Sequence, residues 1–312
     1  MTPEQAAREK SLGAIFVFSA YVLWGFLPLY FVSLAPTTPW EVVGWRILLS
    51  LVFCLALLAI TRGWGRMRVI LHDRRLMLWT LLAGLLIYVN WQVFLIGTLT
   101  GHVVETSLGY FINPIATVLL GVIVLKERLR TVQWVAVGIA GTAVVVIIVA
   151  VGRVPWIALA LAASFATYGL VKKKIGPSVD AVSGLTLESF WLVPIAVLQL
   201  VLVGVTSGLT MGTQGAAHTT LLLLAGAVTA TPLLFFSAGA RRTSLTVIGI
   251  LQFVAPIMQF LTGVLILGEP MPFERWIGFA LVWVAVAVFT VDSIVASRRS
   301  RTRAEAVVPD PV

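Results

Sequence analysis

Long apolar runs separated by short polar segments dominate this chain. A membrane-spanning helix needs about 20 mostly apolar residues to cross about 30 Å of hydrocarbon. Each such run must be helical, because lipid offers no hydrogen-bond partners to an open backbone. The pattern predicts ten transmembrane helices, at about residues 12–31, 39–61, 76–97, 103–125, 131–151, 154–171, 181–204, 217–239, 245–267 and 273–295.

The composition agrees with a bundle of membrane helices. Of the 312 residues, 59% are hydrophobic and 11% are charged, whereas about 25% of the residues of an average soluble protein are charged. Such a composition disfavours a soluble enzyme, a disordered chain and a nucleic-acid-binding module. We therefore expect an all-α integral membrane protein that has lipid, and no nucleic acid, as a partner.

The basic residues predict which side of the membrane each loop faces. The formal net charge is +9, and cytoplasmic loops of membrane proteins carry an excess of Lys and Arg. With a cytoplasmic N-terminus, 19 of the 22 Lys and Arg residues fall in inside segments and only Arg153 and Arg275 fall outside. We expect a multi-pass protein of the plasma (inner) membrane with both termini in the cytoplasm.

The two halves of the chain resemble each other at a constant offset of 142 residues. Residues 109–115 align with residues 251–257, and residues of rarer types match in the same register. These matches include Pro114 with Pro256, Gly121 with Gly263, Glu127 with Glu269, and Trp134 with Trp276. Five spans is an odd number, so the second copy enters the membrane from the opposite side, as in many secondary transporters. We predict two inverted five-helix repeats, 12–151 and 154–295, followed by a basic cytoplasmic tail, 296–312.

A set of motifs appears in an order that is typical of one superfamily. The set includes Trp24-Gly-Phe-Leu-Pro28-Leu-Tyr30, Glu41 with Arg46, Asn90-Trp91, residues 107–114, Pro155-Trp156, Thr231-Pro232 and Gly268-Glu269. The chain resembles the drug/metabolite transporters with EamA domains, and most closely the RarD branch, the chloramphenicol-sensitivity proteins. The resemblance implies a secondary active carrier of small molecules that works by alternating access, with export as the expected direction.

No motif indicates a cofactor, a metal or a catalytic centre. The chain has no glycine-rich phosphate loop followed by Lys and Ser or Thr, so we expect no ATP-driven motor. We expect no cofactor and no enzyme activity. The alternatives are an integral-membrane enzyme acting on lipid-linked substrates and a structural membrane protein. A proton or a counter-substrate as the coupling partner, and a homodimer as the assembly, are left open.

Two charged residues lie inside predicted spans at equivalent positions of the repeat. Arg46 and Glu188 differ by 142, and each lies about seven residues, or ~10 Å, into its helix. A charge at the bilayer centre costs roughly 2.5–3.5 kcal/mol or more, which favours a functional role. We expect Arg46 to bind a carboxylate or phosphate and Glu188 to bind substrate and couple a proton. The alternative is that the two charges hold helices together.

Polar and aromatic residues inside the spans complete the predicted site. The further candidates for substrate binding are Tyr21, Trp24, Asn90, Trp91, Tyr110, Asn113, Tyr168, Trp191 and Gln252. Their aromatic rings suit a flat or cationic substrate, while core packing and interhelical hydrogen bonds are the alternatives. The candidate hinges are Pro28, Pro114 and Pro256, because a proline removes a helix hydrogen bond.

Other polar residues receive structural interpretations. Glu41 and Glu105 are expected to be solvated carboxylates in first helical turns, with a role at the rim of the site as the alternative. The run Lys172–Lys174 is expected to mark the end of its span, with binding of anionic lipid as the alternative. His218 is expected in a loop.

Overall fold

The computed structural model describes residues 3–126, 129–176 and 178–305. Its helices are α1 (Pro3–Val32), α2 (Pro39–Ile60), α3 (Trp64–His72), α4 (Arg74–Leu99), α5 (Val103–Leu125), α6 (Thr131–Val151), α7 (Trp156–Ile175), α8 (Ala181–Thr206), α9 (Gly215–Leu223), α10 (Ala225–Ala240), α11 (Leu245–Leu251), α12 (Val254–Leu261), a π-helix (Thr262–Ile266) and α13 (Phe273–Glu305). Within these ranges there is no strand, which confirms the all-α prediction. Glu127 and the end of the predicted tail, 306–312, lie outside the described residues.

Nine helical segments of the described chain are long and apolar enough to span a membrane. Helices α9 and α10 together form one such segment, and α11, α12 and the π-helix contribute another. The expected sixth span corresponds to α7, whose 20 residues reach about 30 Å at 1.5 Å per residue. Helix α7 is not among the nine segments, because the three lysines in its last turn lower its mean hydropathy. The count of ten spans therefore stays a prediction.

Helix starts in the two halves are spaced by the offset found in the sequence. Three pairs of helices begin 142 residues apart: α2 and α8 at Pro39 and Ala181, α5 and α11 at Val103 and Leu245, and α6 and α13 at Thr131 and Phe273. The residues before the first pair both cap their helices. The side chain of Thr38 accepts the Glu41 N–H, and that of Asp180 accepts the Ser183 N–H, which satisfies free donors of the first turn.

Helices that are equivalent by this offset pack against each other in opposite directions. In the pair α2 and α8, Gly44 lies against Leu200, whereas Cys54, ten residues later in α2, contacts Thr186. Helices α6 and α13 also pack against each other in opposite directions. The remaining main contacts also form matched sets, namely α1–α10 with α4–α7, α1–α12 with α5–α7, and α2–α10 with α4–α8. This is the pattern that an inverted repeat predicts.

Close helix contacts bring the central residues together. Gly84 of α4 lies against the backbone of Glu188, and a Cβ at this glycine would be 3.1 Å from the Glu188 carbonyl oxygen. Small residues permit such approaches in membrane bundles, where association depends on packing. The largest apolar cluster, which includes Phe31, Ile47 and Leu192, surrounds this region.

The basic residues of several helix ends gather at one end of the bundle, which we call the basic face. Arg242, after α10, pairs with Glu9 of α1 at 3.0 Å. The Lys174 ammonium, near the end of α7, lies 4.2 Å from the centre of the Trp79 ring at the start of α4. These contacts place the start of α1, the start of α4 and the ends of α7 and α10 at the basic face.

Candidate functional site

A cavity of about 590 Å³ lies between helices of both halves. This volume is within the range of roughly 300–1,000 Å³ that is typical of small-molecule sites. Ten of the eleven predicted substrate-binding residues line it: Tyr21, Trp24, Arg46, Asn90, Trp91, Tyr110, Asn113, Tyr168, Glu188 and Gln252. The cavity thus brings together predicted residues from helices that are far apart in the chain.

The eleventh candidate and two of the candidate hinges are not part of the lining. The Trp191 indole N–H donates to Thr80 Oγ1 at 3.2 Å and ties α8 to α4. Pro28 and Pro114 lie inside α1 and α5. Pro256 does line the cavity, and it follows the break between α11 and α12. Hinge motion at these prolines stays a prediction.

Arg46 is buried in the cavity wall, with 4% of its surface exposed. Its Nε donates to Thr229 Oγ1 at 2.8 Å, and its guanidinium carbon lies 4.2 Å from the Trp91 ring centre and 5.3 Å from that of Phe31. Nη1 is buried and has no hydrogen-bond partner among the described residues. Within this part of the chain, Arg46 also has no carboxylate in ion-pair distance. The aromatic faces stabilise a cation, and the free Nη1 leaves a charged donor unused.

A chain of hydrogen bonds orients the polar groups of the wall. The Tyr110 hydroxyl donates to Asn90 Oδ1 at 3.1 Å. Asn90 Nδ2 in turn donates to Ser164 Oγ at 3.1 Å and to the Leu161 carbonyl at 3.3 Å. These bonds link α5, α4 and α7. Asn90 therefore both lines the cavity and joins helices, although substrate binding and interhelical hydrogen bonding were expected from the sequence as alternatives.

Glu188 is buried in the cavity wall and has two polar side-chain partners from α7. Only 1% of its side chain is exposed; Oε1 accepts a hydrogen bond from Lys172 Nζ at 2.7 Å, and Oε2 accepts one from the Tyr168 hydroxyl at 3.1 Å. Lys172 lies in the last turn of α7, as expected, but it also lines the cavity, which the sequence did not predict. Tyr168 and Lys172 are four residues apart and share a helix face, and this spacing could have indicated the contact.

Several lining residues were missed in the sequence. Besides aliphatic residues they include Phe94, Phe165, Phe236, Thr229, Ser237, Asp180 and Arg241. The rings form two contiguous groups, one around Trp24 and one around Tyr110, with neighbouring centres 5.4–6.0 Å apart. A phenylalanine in an apolar span carries no signal that distinguishes a cavity wall from a packed core.

The cavity reaches the basic face at Gly176, Asp180 and Arg241. Burial works to raise the pKa of Asp180, but hydrogen bonds from Ser183 and the charge of Arg66 outweigh it and hold this pKa below its ordinary value. The mouth of the cavity thus carries the anionic side chain of Asp180, which caps α8, as well as the cation Arg241. Among the described residues, none of the loops at the other end of the bundle contributes to the lining.

The face opposite the basic face is closed by buried carboxylates. Glu41 is fully buried and accepts the backbone N–H groups of Thr210, at 2.9 and 3.1 Å, and of Met211, at 3.1 Å. The expectation that Glu41 is solvated was wrong, because the loop before α9 folds over it. His218 lies in α9, not in a loop, and its Nε2 is 2.8 Å from Thr37 Oγ1.

Two further carboxylates join helices at this closed face. Glu269 accepts the backbone N–H groups of Val103 and Val104 at the start of α5, where unpaired donors and the helix dipole favour a negative charge. Glu105 accepts the Ile157 N–H at 3.1 Å and pairs with Arg153 at 3.1 Å. The expectation that Glu105 is solvated was also wrong.

Comparison with known proteins gives consistent matches over nearly the whole chain. A sequence model of the EamA-like transporter family matches residues 11–149. Protein RarD of Streptomyces exfoliatus is 44% identical over 306 residues, which are 98% of this chain and 96% of that protein. Protein RarD of Escherichia coli (strain K12) is 37% identical over 294 residues, 94% of this chain and 99% of that protein. One solved crystal structure covers 90% of this chain and 97% of its own with a TM-score of 0.57 at 19% identity, a likeness in fold alone.

Proposed function

Because this chain belongs to the RarD branch of the EamA-like transporter family and is a multi-pass membrane transporter, we propose that it is a secondary active carrier of small anionic molecules. In this proposal the basic face is cytoplasmic, and the protein resides in the plasma membrane with both termini inside. The described conformation is then open to the cytoplasm and closed to the outside. It is the state in which an exporter loads its cargo, and export is the proposed direction.

The arrangement of the two halves supports alternating access. Helices 142 residues apart begin at matched positions and run antiparallel. Two halves of this kind can exchange their packing and so reach a second state of similar energy, with the cavity open on the other side. The Glu41 and Glu269 contacts at the closed face are the ones that this exchange would break.

The observation that carries the cargo assignment is the uncompensated charge of Arg46. Lys172 neutralises Glu188, an acid that lines the cavity, whereas Arg46 has a free Nη1 and no acidic partner among the described residues. A guanidinium matches the geometry of a carboxylate or phosphate. The Trp91 ring lies beside this guanidinium, with its centre 4.2 Å from the guanidinium carbon. The aromatic walls suit a flat apolar body attached to that anion.

Flux through reconstituted protein tests the proposal. Proteoliposomes would be given benzenesulfonate, benzyl alcohol and benzylamine, three probes that share a ring and differ in charge. We expect saturable flux of chemically unchanged benzenesulfonate, and loss of that flux in Arg46→Ala. Arg275→Ala is the matched control and should transport normally, because Arg275 is half-buried outside the cavity lining and donates to the Pro270 carbonyl.

Each rival function predicts a different result. Conversion of a lipid-linked substrate without net flux would indicate a membrane enzyme. Absence of saturable flux for all three probes, with Arg46→Ala merely less stable, would favour a structural role. Either result would contradict the proposed function.

A further inference from the structure

The pair formed by Lys172 and Glu188 carries an inference that rests on the proposed anion carrier and deepens it. We propose that Lys172 is a tethered counter-ion that leaves Glu188 when this carboxylate takes up a proton. The released ammonium then attracts the anionic cargo, so that the proton and the anion bind together. Lys172 and Glu188 would thus determine the coupling, whereas Arg46 anchors the cargo.

The two partners differ in their freedom to move. The Glu188 side chain is 1% exposed and the Lys172 side chain is 27% exposed. Glu188 lies near the start of α8, against the backbone of Gly84, and lines the cavity. Lys172 has a flexible four-carbon stem and lies in the last turn of α7 at the same cavity. The ammonium can therefore leave while the carboxylate stays.

A glycine makes the seat for the ammonium. A Cβ placed on Gly184 would lie 2.7 Å from Lys172 Nζ and 3.6 Å from Glu188 Oε1. Gly184 is four residues before Glu188, so both face the same side of α8. Any larger side chain at this position would push the ammonium away from the carboxylate. The seat can thus be perturbed without changing a titratable residue.

Tyr168 allows Glu188 to become neutral inside the protein. Its hydroxyl donates to Glu188 Oε2 at 3.1 Å, and this contact does not depend on Lys172. A protonated Glu188 keeps Tyr168 as a hydrogen-bond partner, so its burial leaves no bare polar group. When Glu188 takes up one proton it becomes neutral, and the positive charge of Lys172 is no longer compensated.

The neighbours of Glu188 leave few other groups that can respond to pH. From α7, Lys172 and Tyr168 face it, and from α2 the Cys54 thiol interacts with it electrostatically. From helix α4, Gly84 lies against the backbone of Glu188. On the wider cavity wall, α2 contributes Arg46, Arg241 follows the end of α10, and Asp180 precedes the start of α8.

The sign of the coupling follows from these charges. At alkaline pH the pair is neutral and Arg46 alone attracts the anion; at acidic pH the freed Lys172 adds a second cation. Linkage is reciprocal, so bound anion must also favour the proton. A carrier of this kind moves the proton and the anion in the same direction. It exports only when the outward gradient of the cargo exceeds the opposing proton gradient.

Titration calorimetry on the purified full-length protein tests the coupling. Benzenesulfonate is the probe because its charge does not change between mildly acidic and mildly alkaline pH. We expect binding to the wild type to be about tenfold tighter at acidic pH, inside the 5- to 150-fold range of typical couplings. Proton uptake on binding, measured from the dependence of the heat on the buffer, should accompany it.

Three variants separate the coupling from the anchor. Glu188→Gln should bind tightly at both pH values without proton uptake. Gly184→Ala, which displaces the ammonium, should raise affinity at alkaline pH toward the acidic value. The double variant Lys172→Gln/Glu188→Gln avoids an unpaired buried charge and should bind weakly at both pH values.

The outcomes distinguish the two proposals. Binding that is lost in Arg46→Ala, but has the same pH dependence in wild type and Glu188→Gln, would overturn the coupling and leave the anion carrier intact. Absence of any Arg46-dependent binding of benzenesulfonate would overturn both. Proton release instead of uptake would also contradict the coupling.

Discussion

The two charges buried in the membrane occupy equivalent positions of the two halves and have opposite surroundings. Sixteen residues before Glu188, Lys172 supplies a cation at 2.7 Å. Sixteen residues before Arg46, the equivalent residue is Tyr30, which lies close enough to interact electrostatically with Arg46 but donates its hydroxyl to the Leu221 carbonyl at 2.7 Å. One half thus carries a neutralised charge, and the other carries a charge without a counter-ion among the described residues.

This difference indicates which position serves the cargo. A buried charge that only holds helices together is stable when it is paired, and removing one partner of such a pair is strongly destabilising. Glu188 meets this description in the present conformation. Among the described residues, Arg46 has one polar side-chain partner, Thr229, together with two aromatic faces and an unused Nη1. We interpret Arg46 as a charge completed by substrate.

Breaking the pair in the second half should give the largest effect. Lys172→Gln leaves Glu188 buried with only Tyr168 as a partner. We expect a loss of about 2–3 kcal/mol in the free energy of unfolding, below the 3–5 kcal/mol of a fully buried pair, since Lys172 is 27% exposed. Thermal unfolding measures this loss, and the double variant with Glu188→Gln should recover most of it. Equal stability of Lys172→Gln and wild type would contradict the description of the pair.

A counter-ion placed beside Arg46 in the first half should remove the difference in charge between the two halves. Tyr30→Glu places a carboxylate at the position equivalent to Lys172, near Arg46. We expect benzenesulfonate affinity to fall about tenfold or more, an effect of about 1.4 kcal/mol, because the new carboxylate competes with the anion. Tyr30→Phe removes only the bond to Leu221 and serves as the control in the same calorimetric titration. Unchanged affinity in Tyr30→Glu would show that Arg46 does not meet the anion.

Loosening Arg46 without removing its charge should give a smaller effect. Thr229→Val removes the acceptor of the Nε hydrogen bond and keeps the side-chain shape. Hydrogen bonds to charged groups contribute about 1.5–3 kcal/mol, and part of this is recovered when the guanidinium turns to the anion. We expect affinity to fall about fivefold, with Thr229→Ser close to wild type. A stronger loss in Thr229→Ser than in Thr229→Val would contradict this role of the hydroxyl.

We expect the smallest effects on stability at the N-terminal caps of the equivalent helices α2 and α8. Asp180→Ala removes the capping oxygen of α8 and should lower stability by about 1 kcal/mol. Since the folded state lowers the pKa of Asp180, its charge stabilises the fold above the unfolded pKa, and this stability is lost as pH falls through the folded pKa. The neutral cap Thr38 of α2 should show no such acid dependence. Unfolding of Asp180→Ala and Thr38→Ala across the acidic range compares the two.

The helices were predictable to the extent that they follow apolar runs. Each described long helix overlaps a predicted span, since lipid forces every apolar run into a helix. The divisions between α9 and α10 and between α11 and α12 lie inside predicted spans. Such divisions depend on packing against other helices, which periodicity does not encode.

The candidate site was predictable where a residue type is unusual for its surroundings. Arg46 and Glu188 stand out because charges are rare in spans, and both line the cavity. Lys172 was missed because a lysine at the end of an apolar run normally marks the membrane surface. The burial of Glu41 was missed because it depends on a loop about 170 residues away in the chain.

Binding of matched aromatic probes to the wild type and to Arg46→Ala tests the central claim most directly. Bound ligand raises the free energy of unfolding by RT ln(1 + [L]/Kd), so thermal unfolding of the two proteins would be followed with benzenesulfonate, benzyl alcohol and benzylamine. The account predicts that benzenesulfonate alone stabilises the wild type and that Arg46→Ala loses this stabilisation. Equal stabilisation of both proteins by benzenesulfonate would contradict it.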